Sequence, residues 1–150
     1  MRVTVDINEI RAIIFSITDK HMHDSMEVLN PVNRIRDKIS KLYGDKAYDS
    51  RSIYNSLNGK AIIPTRKNSS TLSGGSPYRA RITREIRRTS GSEWKNKNNY
   101  GKRWIVEIYF SGLKSVMGEI IKARRPEYIA QEIAMKVHHY NILRQMTEAY

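Results

Sequence analysis

A mixed α/β layer fold is the architecture this sequence predicts, on three observations. Runs rich in Val and Ile crowd the first 65 residues, apolar residues at helical spacing dominate after residue 78, and a short strand-like run, AIIPT, stands between helical segments. Strands first and helices later, with one strand between helices, make a sheet layered against helices.

The elements follow in order. Residues 2–7 and 11–18, RVTVDI and RAIIFSIT, are joined by a short polar connection and read as a hairpin, with Asp6 a turn residue between its strands. A loop follows in which His21, His23 and Asp24 offer metal-ligating atoms. Two histidines at i,i+2 in a loop read as solvent-facing rather than as a metal site. Asn30-Pro31 has the character of an N-cap and N1 pair opening a basic helix to about Ile39. A strand reaching Tyr43, a turn at Gly44 and a helix beginning near Asp49 or Ser50 and ending at Leu57 come next, with Gly59 placed as its C-cap. Residues 61–65 read as a strand. Residues 66–77, with four serines and two glycines, read as a flexible loop. Helices then cover about 78–89, 100–117 and 126–146; in the last, Ile129, Ile133, Val137, Tyr140 and Leu143 recur at helical spacing and face a core. His138 and His139 on that helix read as structural.

Composition narrows the function. At 150 residues and 39% hydrophobic the chain is one domain or part of one. It has no cysteine, which excludes disulfides and thiolate metal sites and suits a reducing, cytoplasmic setting. The apolar run at residues 12–17 is too short for a signal peptide or membrane span, so no membrane is expected as partner. Lys and Arg number 27 against 15 Asp and Glu, giving +12. An excess of this size points to a polyanion, because each neutralised phosphate releases counterions. The charge is concentrated in RARITREIRR, where Arg79, Arg81, Arg84, Arg87 and Arg88 accompany a single acid, Glu85, and in the Lys- and Asn-rich residues 95–102. With no large apolar face beside the arginines, nucleic acid is a better partner for them than a membrane surface, and Arg84, Arg87 and Arg88 are candidate phosphate contacts.

The chemistry is carried by NYGKRWIVEIYFSGLKS. Here Tyr100, Arg103, Glu107 and Lys114 are separated by two, three and six residues. On one continuous helix, at about 100° per residue, all four fall within roughly 60° of arc. Val106, Phe110, Leu113 and Met117 flank that face, while Ile105, Tyr109 and Val116 lie behind it, so the helix can bury an apolar back. A lone i,i+4 Arg–Glu pair would be an ordinary surface contact. The full four-residue spacing would arise by chance in a chain of this composition only roughly 0.004 times.

That spacing resembles the signature of DDE transposases of prokaryotic insertion sequences. A second match is KLYGDKAYDSRSIYNSL, similar to the family's Gly-Asp-Lys-Gly/Ala-Tyr-Asp-Ser at a strand end, and SITDKHMHDS, AIIPTRKN and ARRPEYIAQEIAMKVHHYNILRQM extend the similarity over most of the chain. The resemblance implies a ribonuclease H-like mixed sheet with flanking helices, in which Asp45 and Glu107 are two of three metal-binding carboxylates and Tyr100, Arg103 and Lys114 meet DNA phosphate. It also implies Mg2+ (or Mn2+) and double-stranded DNA, both element ends and target, as partners, a second transposase copy to hold two ends together, and a nucleoid-associated location. The reaction would be two-metal phosphoryl transfer, cleaving DNA strands and joining them to new DNA.

One departure sets a further expectation. The family's first catalytic aspartate lies on a strand preceding the segment resembled by RVTVDI, and almost nothing precedes it here. The reading is therefore a partial catalytic domain over 1–150, lacking its first strand: strands and Asp45 in 1–65, the flexible loop in 66–77, helices and Glu107 in 78–150. Such a truncated copy would be inactive alone. The alternative is an inactive, basic DNA-binding module derived from a transposase. Asp6, the nearest acid, does not replace the first ligand.

Overall fold

The computed structural model describes residues 2–6, 8, 10, 12–16, 29 and 32–148. His21, His23 and Asp24 and the Asn30-Pro31 cap pair lie outside them. In chain order the elements are β1 (Arg2–Val5), β2 (Ala12–Ser16), β3 (Leu42–Tyr43), α1 (Arg51–Ser56), β4 (Ala61–Ile62), α2 (Pro77–Arg88), α3 (Gly91–Lys97), α4 (Ile105–Met117) and α5 (Pro126–Glu148), with 3-10 turns at Arg36–Lys38, Lys46–Tyr48 and Tyr100–Trp104. They form two compact units, one of residues 1–18 with 104–150 and the other of residues 19–103. The architecture is mixed α/β and helix-rich, and the strands among the described residues lie in two two-stranded sheets.

In the first unit, β1 and β2 pair antiparallel, Arg2 opposite Ser16 and Thr4 opposite Ile14, with a bulge between Thr4 and Val5. Asp6 behaves as a turn residue: its Oδ1 accepts a hydrogen bond from the Asn8 backbone at 2.7 Å. A two-stranded hairpin is marginal alone and needs an apolar surface to cover it. Val5 supplies the contact, packing into a cluster with Tyr109 and Leu113 of α4 and Ile133, Val137 and Tyr140 of α5. Of the apolar back expected of α4, Tyr109 is buried there and Ile105 partly so, while Val116, in its last turn, is exposed. Leu143 on α5 is also exposed, contrary to its helical register. Length accounts for this, since the 13 residues of α4 span about 20 Å at 1.5 Å per residue and the 23 of α5 about 35 Å, so α5 outruns its partner.

In the second unit, β3 and β4 are parallel, pairing Leu42 with Ala61 and Tyr43 with Ile62. The strand expected over 61–65 stops at Ile62. Pro64 has no N–H to donate to a ladder, and the Ile63 carbonyl is taken by the Tyr54 hydroxyl at 2.7 Å. Helix α1 is capped by Ser50, whose hydroxyl accepts from the Ile53 backbone, and it runs out through Asn58 and Gly59, both at positive φ. With Leu57 as the C-cap, Asn58 takes the left-handed position expected of Gly59, which follows it one residue later, also at positive φ. Pro77 opens α2 at its first position. Helix α3 is an addition to the elements expected from the sequence; Ser90 caps it by accepting from the Glu93 backbone at 3.1 Å, and Trp94 anchors it in the core with Ile53, Tyr54, Leu57 and Ile63.

Candidate functional site

Asp45 stands just past the carboxyl end of β3. The Gly44 backbone donates to the Ile62 carbonyl at 3.3 Å, extending the pairing with β4 by one residue, and the chain then turns. Glycine fits there because a Cβ would lie 3.1 Å from the Ile63 side chain. Asp45 then caps the following 3-10 turn, one carboxylate oxygen accepting from the Ala47 backbone at 2.9 Å. Tyr100, far along the chain, reaches the same strand end: its hydroxyl donates to the Gly44 carbonyl at 2.9 Å. Its ring lies 6.0 Å from that of Trp94, with the Lys95 ammonium 5.8 Å from its centroid. Burial raises the Tyr100 phenol pKa, the Arg103 guanidinium opposes that shift, and the Asp45 charge adds to it. Asp45 and Arg103 are therefore each within electrostatic reach of Tyr100, in the second unit.

Glu107 and Lys114 belong to the first unit, in the first and last turns of α4. Both are exposed, opposite the buried Tyr109 and Leu113. Seven residues on a helix carry them along one face but about 10 Å apart, and Lys114 pairs with Glu119 at 3.2 Å. A carboxylate in a helix's first turn is favoured by the helix dipole. The single helix expected from Tyr100 onward is corrected here. Residues Tyr100–Trp104 form a 3-10 turn, in which side chains three apart eclipse one another, and the α-helix starts at Ile105. Gly101 is a poor helix former, and the hold of Gly44 and Trp94 on Tyr100 favours the tighter winding.

Along α2 the arginines divide. Arg84, Arg87 and Arg88 are exposed, as phosphate contacts must be. Glu85, the one acid among them, is held by Lys97 of α3 at 2.5 Å, a bond that lowers its pKa. Arg79 is different. Its Nε and one Nη donate to the two oxygens of Asp49 at 2.6 and 2.9 Å, and the Asp49 side chain is fully buried. Asp49 also accepts from the Arg66 backbone at 2.8 Å and from the Ser69 hydroxyl at 3.3 Å. Sequence reasoning missed this knot, although Asp49 closes the Gly-Asp-Lys-Ala-Tyr-Asp motif and Arg79 opens the arginine run.

The carboxylates offer hard oxygen donors of the kind Mg2+ or Mn2+ takes. Among the described residues no group of three or more His, Asp or Glu is gathered as a metal site, so the fit rests on Asp45 and Glu107 individually. Among the same residues no helix is long and apolar enough to cross a membrane. No curated protein and no solved structure gives a significant match to the chain. The family model of the transposase DDE domain matches residues 4–142, nearly the whole length. The chain therefore belongs to the transposase DDE domain family, the enzymes of DNA transposition.

Proposed function

We propose that this chain contributes two carboxylates, Asp45 and Glu107, to a transposase active site that cleaves DNA at element ends and joins the cut strands to a target. The observation that carries the reading is the Tyr100 hydroxyl on the Gly44 carbonyl, beside Asp45. It ties the Tyr100–Arg103 part of the four-residue spacing to the strand end bearing the other candidate ligand. Ligands gather at such carboxyl edges in open α/β folds. Glu107 follows Arg103 by one helical turn's worth of sequence, and its approach to Asp45 is the remaining step of the proposal.

In this reading Asp45 and Glu107 would hold Mg2+ or Mn2+, which supplies charge stabilisation at the attacking and leaving oxygens. The chain's own residues do the rest. Arg103 clamps the scissile phosphate through two parallel N–H donors, and Lys114 acts as a point charge farther along the backbone. Tyr100, its proton committed to Gly44, offers its ring as a platform against sugar or base. Exposed Arg84, Arg87 and Arg88 hold flanking duplex by phosphate without reading sequence. A second chain would hold the other end.

A second reading, a DNA-binding module without cleavage, is favoured by the exposed arginines of α2, Arg84, Arg87 and Arg88. Incubating the 150-residue chain with supercoiled DNA and Mg2+ separates the two from independent catalysis. The expected result is DNA binding without nicking, with nicking gained when an Asp-bearing strand is supplied ahead of RVTVDI and lost again in Glu107→Ala. Metal-dependent nicking by the chain alone, abolished by Glu107→Ala, would overturn the assignment of only two catalytic carboxylates to it. A gain of nicking that survives Glu107→Ala would remove Glu107 from the site.

A further inference from the structure

Asp49 makes more bonds than the start of a short helix requires. Its buried carboxylate joins three pieces of the second unit: the segment leading from Asp45 into α1, the turn at residues 66–69, and the first turn of α2 through Arg79. The turn is closed by the Ser69 backbone donating to the Arg66 carbonyl at 3.0 Å, and the Arg66 N–H that enters it is bound by Asp49. Ser69 is buried, and Arg79 also donates to its hydroxyl at 2.7 Å. Two helical turns along α2, Arg87 donates to the Ser69 carbonyl at 2.7 Å. The residues standing out of this turn, Arg66, Lys67 and Asn68, are all exposed.

The consequence is electrostatic. Arg79 neutralises Asp49 inside the protein, so its negative charge is withheld from the surface, while the bonds it makes carry Arg66 and Lys67 to the side of α2 that bears Arg87. Arg84 and Arg88 lie within one turn of Arg87. Two segments bearing exposed cations, the 66–69 turn and α2, are thus bonded together at Ser69 and Arg87, with a buried acid holding the turn. A duplex presents phosphates at regular spacing, and fixed cations on two segments can engage more of them than one helix alone.

We propose that Asp49 is a positioning residue of the DNA-binding surface, fixing the 66–69 turn so that Arg66 and Lys67 bind phosphate together with Arg84, Arg87 and Arg88. The proposal rests on the reading of those three arginines as phosphate contacts. Its signature is a reversal of sign: deleting a negative charge should tighten binding to a polyanion, yet Asp49→Asn should weaken it.

The test is fluorescence anisotropy with a duplex of arbitrary sequence over a series of salt concentrations, on protein shown to be folded by circular dichroism. Arg66→Ala/Lys67→Ala should flatten the slope of log affinity against log salt by about 0.9 for each phosphate the variant no longer neutralises. Asp49→Asn should flatten it similarly, and so should Arg79→Lys, which keeps the charge but cannot fork across a carboxylate. A smaller folded fraction alone moves the midpoint to higher total protein by the same factor at every salt concentration and leaves the slope in place. Unchanged slopes in Asp49→Asn and Arg79→Lys, alongside a flattened slope in Arg84→Ala/Arg87→Ala/Arg88→Ala, would overturn the role of Asp49 and leave the arginine reading intact. An unchanged slope in that triple variant would instead remove the arginine reading. If Asp49→Asn does not fold, Arg79→Lys and Arg66→Ala/Lys67→Ala decide, and unchanged slopes in them overturn the proposal.

Discussion

Asn141 does with one side chain what a neighbouring strand does with its backbone. Its Oδ1 accepts from the Ala12 N–H at 3.0 Å and its Nδ2 donates to the Ala12 carbonyl at 2.9 Å, closing both backbone groups at the start of β2. The Tyr109 hydroxyl donates a second bond to Oδ1 at 2.9 Å, and burial pushes that phenol up to about 12. Asn141→Ala should therefore cost about 1–3 kcal/mol, the penalty for part-buried groups left unpaired. Denaturant unfolding reads that loss, and faster hydrogen exchange at the Ala12 amide locates it. Glu132 makes a pH-dependent contribution of the same local kind. Its carboxylate accepts from the Ala123 and Lys122 backbones, which together lower its pKa below the ordinary glutamate value, the Ala123 bond most. A group with a depressed folded pKa stabilises above its unfolded value and loses that contribution as pH falls through the folded one. The stability difference between the wild type and Glu132→Gln should accordingly be present at neutral pH and vanish in acid below the glutamate range. A difference that persists there would assign it to packing.

Helix α4 against α5 is the packing on which the face bearing Glu107 and Lys114 depends. Gly112 sits under the Tyr140 hydroxyl so closely that a Cβ would collide with it. Gly112→Ala should lower the thermal midpoint, costing about 1–3 kcal/mol as an overpacked contact, despite the better helix propensity of alanine. An unchanged midpoint would mean the helices can separate freely there. Elements were legible in the sequence where they had length or punctuation. Helices α2 and α5 each open on a proline and carry a sustained apolar period, and both lie within two residues of their expected ends. Strands β3 and β4 were placed by the Gly44 turn and the run AIIPT, but with two residues each their extent had no period to fix it. Helix α3 hid because its one buried residue is Trp94, although Ser90 and Glu93 have the spacing of a capped helix start. The tight turn at Tyr100–Trp104 could not be foreseen from spacing, since it follows Tyr100 bonding to a strand end in distant sequence. The Asp49–Arg79 pair was hidden for the same reason.

At the scale of the whole molecule, the family is shown by the match across residues 4–142, and the resemblance that pointed to it lay in the spacing of four residues and the motif around Asp45. The proposed site is one that spacing alone could not assemble. Asp45, Tyr100 and Arg103 fall in one compact unit and Glu107 and Lys114 in the other, and no local sequence rule governs how far apart two such units hold their side chains. The central claim is that Asp45 and Glu107 nevertheless serve one divalent cation. Mn2+ binding followed by electron paramagnetic resonance tests it directly, with a short DNA duplex present to supply phosphate oxygens. Wild type, Asp45→Ala, Glu107→Ala and the double variant complete a double-mutant cycle. Two ligands of one ion predict a coupling of about 1 kcal/mol or more, the second substitution costing little once the first is made. Effects that add to within about 0.5 kcal/mol would contradict it, leaving Asp45 and Glu107 as carboxylates of separate sites.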